Sequence, residues 1–445
     1  MNKKDWLLLG LFTILLLILV STSKQIIFHD SIEYFNLIKD FAGFQIIKAH
    51  STHSMLYTYI LSFLVELLPA IKTIQILNVL WLIPIAILIR KYTNKSAYLL
   101  FLFSPMVWIA APELTPVMPA AFFTTLAYFQ IKKWQNNNKN KHLWITAISL
   151  GFSMAIYTPM FFVALMFLIA FMRKTTVKKL IPFSILAGLF YLPRIILDYK
   201  LTGLPFYSEI RFFGANLKNA LGLGATGDAG MIAGLLIFET TYFIFLISPL
   251  LFMLYKTNFK KYKNELFFII TVTAFFLVTG SYIKYILIPS AIIFYLLSKV
   301  LTKKLLYLHI ILSIILTLIF VIPFYSPVEA SYPTDLEQIQ NDFDIGGAIL
   351  HPTVAVYLWE GSYFLPEEYY AFTNDEEYFS TLSLQASPTY YYDKILEIQG
   401  NLLIAQDERV KDATLWISHK DDPVPEEFIQ EKCYEEICVS KKIST

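Results

Sequence analysis

The sequence predicts a polytopic α-helical membrane protein of about eleven spans, followed by a small α/β domain outside the cytoplasm. Three observations carry this. Of 445 residues, 56% are hydrophobic and only 16% charged, the mean hydropathy is +0.55, and the apolar residues run in long uninterrupted stretches. The cations cluster between those stretches. From Ser326 onward the long apolar runs stop, and Pro, Asp, Glu and Tyr become frequent. The net charge of +2 is near neutral, argues neither for nor against nucleic acid, and matters less than where the cations sit; no nucleic-acid partner is expected.

A span needs about 20 mainly apolar residues, fewer when it is packed inside a bundle. The candidates are residues 6–23, 73–90, 96–111, 117–133, 143–158, 159–172, 178–196, 230–255, 265–280, 284–300 and 304–324. The first follows Asn2-Lys3-Lys4 and has no small-residue cleavage motif after it, so it reads as an uncleaved signal-anchor. Lys and Arg accumulate in short cytoplasmic loops. With Lys3-Lys4 inside, Arg90-Lys91, Lys132-Lys133, Lys139, Lys141, Arg173-Lys174, Lys178-Lys179, Lys256, Lys260-Lys261, Lys263 and Lys303-Lys304 all fall on that same side. The expectation is a multi-pass protein of the cell membrane with a cytoplasmic N-terminus and an extracytoplasmic C-terminal domain.

That agreement depends on the run His53–Pro69. It is apolar enough to span, but Ser54, Thr58, Ser62 and Glu66 recur at helical spacing and form a polar stripe, which fits an amphipathic helix in the outer interface. Residues 24–72 then make one outer-face segment. A second is 197–229, with Asp198, Glu209, Arg211, Lys218 and Asp228, ending in Gly222-Leu223-Gly224-Ala225-Thr226-Gly227. No strand precedes that glycine run and no Gly-Lys-Ser/Thr follows it, so it reads as a loop rather than a phosphate cradle. The chain thus divides into a transmembrane domain, 1–325, and an outer α/β domain, 326–445. In the latter, Thr353–Leu358, Leu402–Ala405 and Ala413–Ile417 read as strands. Cys433 and Cys438 are close enough for a hairpin disulfide in an oxidising compartment, and their spacing alone is a weak metal signal.

The chemistry-bearing stretch is His29-Asp30-Ser31-Ile32-Glu33-Tyr34, just beyond the first span. In a helix Asp30, Glu33 and Tyr34 stand at i, i+3 and i+4, so both carboxylates and the phenol share a face. The residues alone leave two readings open, a chemical site at a membrane surface and a solvated helix start with Asp30 or Ser31 as N-cap.

The outer segments carry five features in an order that resembles the polyprenyl-phosphate-dependent glycosyltransferases of the GT-C superfamily, particularly the protein-mannosyltransferase and aminoarabinose-transferase branch. They are Asp30 with Glu33-Tyr34; His53-Ser54-Met55-Leu56-Tyr57; Ser104-Pro105 with Trp108 and Glu113-Leu114-Thr115-Pro116; Pro193-Arg194 with Asp198-Tyr199 and Gly203-Leu204-Pro205; and Lys284-Tyr285 with Pro289. This chain separates the two acids by two residues, lacks the proline of the family's histidine motif, and has Lys284 where the family usually has Arg.

The resemblance implies an integral-membrane glycosyltransferase that takes a sugar from a polyprenyl-phosphate donor and passes it to a lipid, glycan or protein acceptor among the membrane lipids of the outer face. A phosphate leaving group needs no general acid. Transfer needs a carboxylate to take the acceptor's proton and cations to steady the phosphate. The implied catalytic residues are Asp30, as base, and Glu33, which orients the acceptor or joins a metal site. His53, Tyr57, Glu113, Arg194, Lys284 and Tyr285 are the implied substrate-binding residues. The resemblance fixes no cofactor, since its branches differ in metal dependence; Asp30 and Glu33 with His50 or His53 could hold a divalent cation. The competing classes are a transporter or flippase of lipid-linked saccharides and an inactive assembly protein of the same fold. A transporter would show mid-span charges, broken helix pairs and internal repeats. Here the acids gather in the outer segments.

Overall fold

The computed structural model describes residues 1–22, 29–43, 55–67, 71–172, 175–210, 212, 247–278, 283–322, 332–351, 354, 363, 364, 413–422 and 424–443. The helices in chain order are α1 (Lys3–Thr22), α2 (His29–Phe41), α3 (Met55–Leu67), α4 (Ile71–Leu80), α5 (Leu82–Tyr92), α6 (Lys95–Leu102), α7 (Pro105–Ala110) and α8 (Val117–Asn137). There follow α9 (Asn140–Ile156), α10 (Met160–Met172), α11 (Val177–Thr202), α12 (Ser248–Val278), a 3₁₀ turn at Ile283–Ile286, α13 (Leu287–Val300), α14 (Lys303–Leu316) and α15 (Tyr332–Asp342). Four of the described stretches, Lys3–Thr22, Thr73–Tyr92, Val177–Leu201 and Lys303–Val321, are long and apolar enough to cross a membrane, and Met55–Val65, Met160–Met172 and Leu287–Val300 are shorter apolar helices. The chain forms two compact units. Met1–Ser23, Gln75–Ile196 and Ser208–Ser326 make the first; Lys24–Ile74, Leu197–Tyr207 and Pro327–Thr445 make the second.

The helix boundaries depart from the expected spans, and two of the departures have a cause in the sequence. The stretch 96–111 breaks into α6 and α7 at Phe103-Ser104, because Pro105 lacks an N–H and pushes Ser104 into an extended conformation with ψ 127°. The indole Nε1 of Trp108 donates to Leu102 O at 3.1 Å, which satisfies a carbonyl near the end of α6. The second difference lies at Lys256–Lys263, expected as a loop between spans. It is helical, part of the 31-residue α12, since neither Pro nor Gly interrupts the sequence between Pro249 and Gly280. Most of the expected span 230–255 lies outside the described residues.

In the first unit the basic clusters gather at one end. Arg90 Nε, at the end of α5, donates to Asp5 Oδ2 at the start of α1 at 2.8 Å, and the Tyr98 hydroxyl donates to Asp5 O at 2.7 Å. Lys132 on α8 pairs with Glu265 on α12, and Lys133 Nζ donates to Tyr92 Oη at 3.3 Å. Asn94 Nδ2 reaches Ser298 Oγ near the end of α13 at 3.1 Å, and Lys179 lies over the Trp134 ring. Since α8 runs toward this end and α9 leads away from it, the Glu113 turn, Tyr157-Thr158 and the start of α13 lie at the opposite end. Between the ends, α9 and α11 approach so closely at Gly151 that an added Cβ would collide with the Ala187 carbonyl.

The second unit is built on a five-stranded sheet in the order β2-β1-β3-β5-β4, with β1 (Ala348–Leu350), β2 (Tyr363–Phe364), β3 (Leu415–His419), β4 (Phe428–Cys433) and β5 (Ile437–Lys442). β1 runs parallel to both β2 and β3, while β5 is antiparallel to β3 and β4. β3 covers most of the expected strand 413–417. Of Thr353–Leu358, Val354 alone is described, and it is helical rather than extended; 402–405 lies outside the described residues. Cys433 and Cys438 stand opposite each other across β4 and β5 and form a disulfide. Leu37 of α2 is buried in the same core as Leu336, Ile339, Ile349, Leu415, Ile417 and Val439, with Phe41 packed against it, so an early helix completes the C-terminal sheet's core. On α3, Thr58 and Ser62 face inward while Tyr59, Ile60, Phe63 and Leu64 are exposed, so the polar stripe points into the protein and the apolar side points out.

Candidate active site

At the end of the first unit remote from the basic clusters, polar side chains hold three chain breaks in place. Asn78, near the end of α4, donates through Nδ2 to Ala110 O at 3.3 Å, Ala111 O at 3.1 Å and Glu113 O. These carbonyls follow the end of α7, where Pro112 prevents continuation, so one amide clamps the turn that carries Glu113. Glu113 itself is 1% exposed.

The second break is Tyr157, extended between α9 and α10 because Pro159 follows. Here Arg194 of α11 reaches across, with one terminal nitrogen donating to Met154 O at 3.0 Å and the other to Thr158 Oγ1 at 2.7 Å. Its Nε lies 2.8 Å from Glu209 Oε1 in an ion pair, and Tyr191, one turn earlier on α11, donates its hydroxyl to the same oxygen. The guanidinium is 0% exposed, and each of its three nitrogens has a protein oxygen within 3.0 Å. The third break is the 3₁₀ turn Ile283–Ile286. Tyr285 lies nearly parallel to Tyr157 at 6.0 Å and to Phe276 at 5.0 Å, and its side chain is buried.

The structure therefore gathers Glu113, Arg194 and Tyr285 at one end of the first unit. Tyr57 is buried in the second unit, where its ring meets Tyr34 edge-on at 6.2 Å and burial pushes its phenol above the usual range. Asp30 and Glu33 lie within α2, as the i, i+3 spacing requires, but their side chains and that of Lys284 lie outside the described residues, as does all of His53. On the same helix Lys39 is buried, and desolvation lowers its ammonium well below the ordinary range. Sequence reasoning did not single out Asn78, Tyr157, Thr158 or Tyr191 and gave Glu209 no role. One signal was available. An arginine inside an apolar helix requires an anion, and Glu209 is the next acid after Asp198.

The whole chain matches the crystal structure of ArnT from Cupriavidus metallidurans bound to undecaprenyl phosphate, with a TM-score of 0.65 and 11% identity, covering 100% of this chain and 99% of that one. The crystal structure of the Archaeoglobus fulgidus oligosaccharyltransferase, tethered with an acceptor peptide containing the NVT sequon, is more distant: TM-score 0.49 and 12% identity over 94% of this chain and 69% of that one. No protein-family model matches the sequence, and no curated protein matches it. The fold is that of the ArnT structure, a multi-pass arrangement of apolar helices with a small C-terminal sheet domain.

Proposed function

We propose that this GT-C-fold chain is an integral-membrane glycosyltransferase that takes a sugar from a polyprenyl-phosphate-linked donor and transfers it to a lipid, glycan or protein acceptor outside the cytoplasm. The observation that carries the reading is the match over the full length to a structure holding undecaprenyl phosphate, together with the five sequence features in their order. The N-terminus is then cytoplasmic, residues 1–325 with outer segments 24–72 and 197–229 form the catalytic domain, and 326–445 form the outer domain. Two observations support that orientation. The basic clusters share one end of the first unit, as cytoplasmic loops should, and the Cys433–Cys438 disulfide suits an oxidising compartment.

In this reading Asp30 takes the proton of the acceptor nucleophile while the anomeric carbon–oxygen bond to phosphate breaks, and the lipid phosphate leaves with the bond's electron pair. Glu33 orients the acceptor. A divalent ion, if the reaction uses one, would fall to Asp30, Glu33 and a neighbouring histidine such as His53. Lys284 neutralises the departing phosphate, where charge develops. Tyr285, its ring stacked with those of Tyr157 and Phe276, fixes the backbone that carries Lys284 and offers its hydroxyl to the substrate. Glu113 lines the donor site, its turn held by Asn78, and Tyr57 and His53 are assigned to substrate binding. Arg194 reaches a phosphate only by giving up Glu209, so its role here is to hold the site wall.

The experiment is sugar transfer in isolated membranes supplied with radiolabelled polyprenyl-phosphate sugars. Wild-type membranes should label an acceptor, and Asp30→Asn, present at equal abundance, should not. Unchanged transfer by Asp30→Asn would remove Asp30 from the mechanism, and absence of transfer from every lipid-linked donor would remove the function.

A further inference from the structure

The sheet of the second unit carries a cluster that the proposed transfer does not use. β1 lies between two parallel neighbours, β2 on one side and β3 on the other, so the connections that follow β1 and β2 lead to opposite sides of β1. In open α/β sheets such a reversal leaves a crevice beyond the carboxyl ends of the strands, and ligands bind there. His351 is the residue immediately after β1, and His419 is the last residue of β3. The backbone ties the two strand ends together, His351 N donating to Ile417 O at 2.9 Å.

The third member comes from the turn after β3. Asp422 Oδ2 accepts from His419 N–H at 3.0 Å, while Asp422 N–H donates to His419 O at 3.1 Å, so the turn is fixed by a reciprocal pair. The same Oδ2 lies 3.9 Å from His351 Nε2, and the two imidazole rings meet edge to face at 4.7 Å. One donor atom from each of the three residues lies within 4.8 Å of the others, and all three residues are partly exposed. Bonds of about 2.0–2.2 Å to a tetrahedral ion place donors about 3.2–3.6 Å apart, so side-chain rotations of about 1 Å close the set.

We propose that His351, His419 and Asp422 bind one divalent transition-metal ion, with zinc the best chemical fit, and that this ion clamps the turn after β3 to the end of β1. Two imidazoles and one carboxylate are the nitrogen and oxygen donors that zinc accepts, and three protein ligands leave a fourth position for water. A cation also accounts for the convergence better than an ion pair does. A partly exposed His–Asp pair contributes little, and a second imidazole beside it adds nothing to that pair. Cys433 and Cys438 are joined to each other and are not ligands. The site belongs to the second unit and is independent of the reading of Asp30.

The test uses the full chain in detergent, carrying no polyhistidine tag and stripped with EDTA. Zinc is titrated against a chromophoric chelator, and cobalt is followed by its visible spectrum. One zinc per chain is expected, with an upward shift of the thermal transition and a tetrahedral cobalt spectrum. His419→Ala and His351→Ala should weaken zinc roughly tenfold or more, at least as much as loss of an outer-shell partner does, and abolish the cobalt spectrum. If either fails to fold by circular dichroism, Asp422→Asn decides, because Asn keeps an oxygen for His419 N–H while removing the charge. Absence of stoichiometric zinc, wild-type affinity in the folded variants, or loss of the ion in Asp30→Asn instead would each overturn the proposal.

Discussion

Arg194 and Glu209 form an ion pair at 2.8 Å in which the guanidinium has no exposed surface and the carboxylate very little. The pair joins α11 to the segment that follows it, and Met154, Thr158 and Tyr191 add hydrogen bonds to it. Removing one partner strands a buried charge, whereas removing both does not. Glu209→Ala should therefore cost about 3–5 kcal/mol of stability, and the double variant Arg194→Met with Glu209→Leu should recover most of it. Denaturant unfolding of the detergent-solubilised protein reads both, and a double variant no more stable than the single one would show that the pair does not act as a unit.

Lys284 is the second residue of the 3₁₀ turn, next to Tyr285, whose ring stacks with those of Tyr157 and Phe276. If it meets the leaving phosphate, Lys284→Ala should lower kcat about 10²–10³-fold, the magnitude typical of one lost electrostatic donor, and Lys284→Arg should retain most activity. Steady-state transfer from a lipid-linked sugar measures this. Equal activity in Lys284→Ala would return the residue to a plain interfacial anchor.

Asp30→Asn should reduce kcat/KM about 10²–10⁴-fold, the usual contribution of a positioned base. Glu33→Gln should reduce it less and raise the acceptor KM. A matching collapse in both variants would argue instead for a shared metal site, and added divalent ions would then change the wild-type rate.

Gly151 faces the Ala187 carbonyl with no room for a methyl group. Gly151→Val should destabilise the packing of α9 on α11 by about 1–3 kcal/mol through overpacking. A lowered thermal midpoint in detergent is the expected reading, while an unchanged midpoint would mean that the two helices separate without penalty.

Asp342, at the end of α15, accepts from Lys432 Nζ and, at 2.6 Å, from the Tyr434 hydroxyl. Hydrogen bonds from Lys432 and Tyr434 hold its carboxyl below the ordinary carboxylate value of 3.8. A depressed acid favours the fold above its unfolded value, and that contribution is lost as pH falls through the lower folded value. The protection factor of the β4 amides, that is, their exchange relative to the intrinsic rate at each pH, should therefore be high at neutral pH and fall below about pH 4. Asp342→Asn should show the lower protection already at neutral pH. Undiminished protection in Asp342→Asn would exclude the contact as a tether.

Much of this was readable in the chain. Long apolar runs specify helices that cross a bilayer because unpaired backbone groups are not tolerated there. Lys3, Arg90 and Lys132 carry enough side information to place their loops together, and in the structure Asp5, Arg90, Tyr92 and Lys133 do share an end. The fold class follows from such local facts. The break at Ser104 was also in the sequence, in Pro105, yet apolar content outweighed it in the reading. The continuity of α12 was hidden by its lysines, which mark a loop by charge but do not break a helix.

The sequence by itself determined what most segments are: apolar or wet, acidic or basic, and in the long apolar runs helical. Those properties depend on a residue and its near neighbours. Only the tertiary structure decided which distant residues meet. Leu37 joins the C-terminal core, Glu209 answers Arg194, and His351 comes beside His419 through the pairing of β1 with β3. Such partnerships are set by chain crossings and close packing, and spacing along the sequence does not record them.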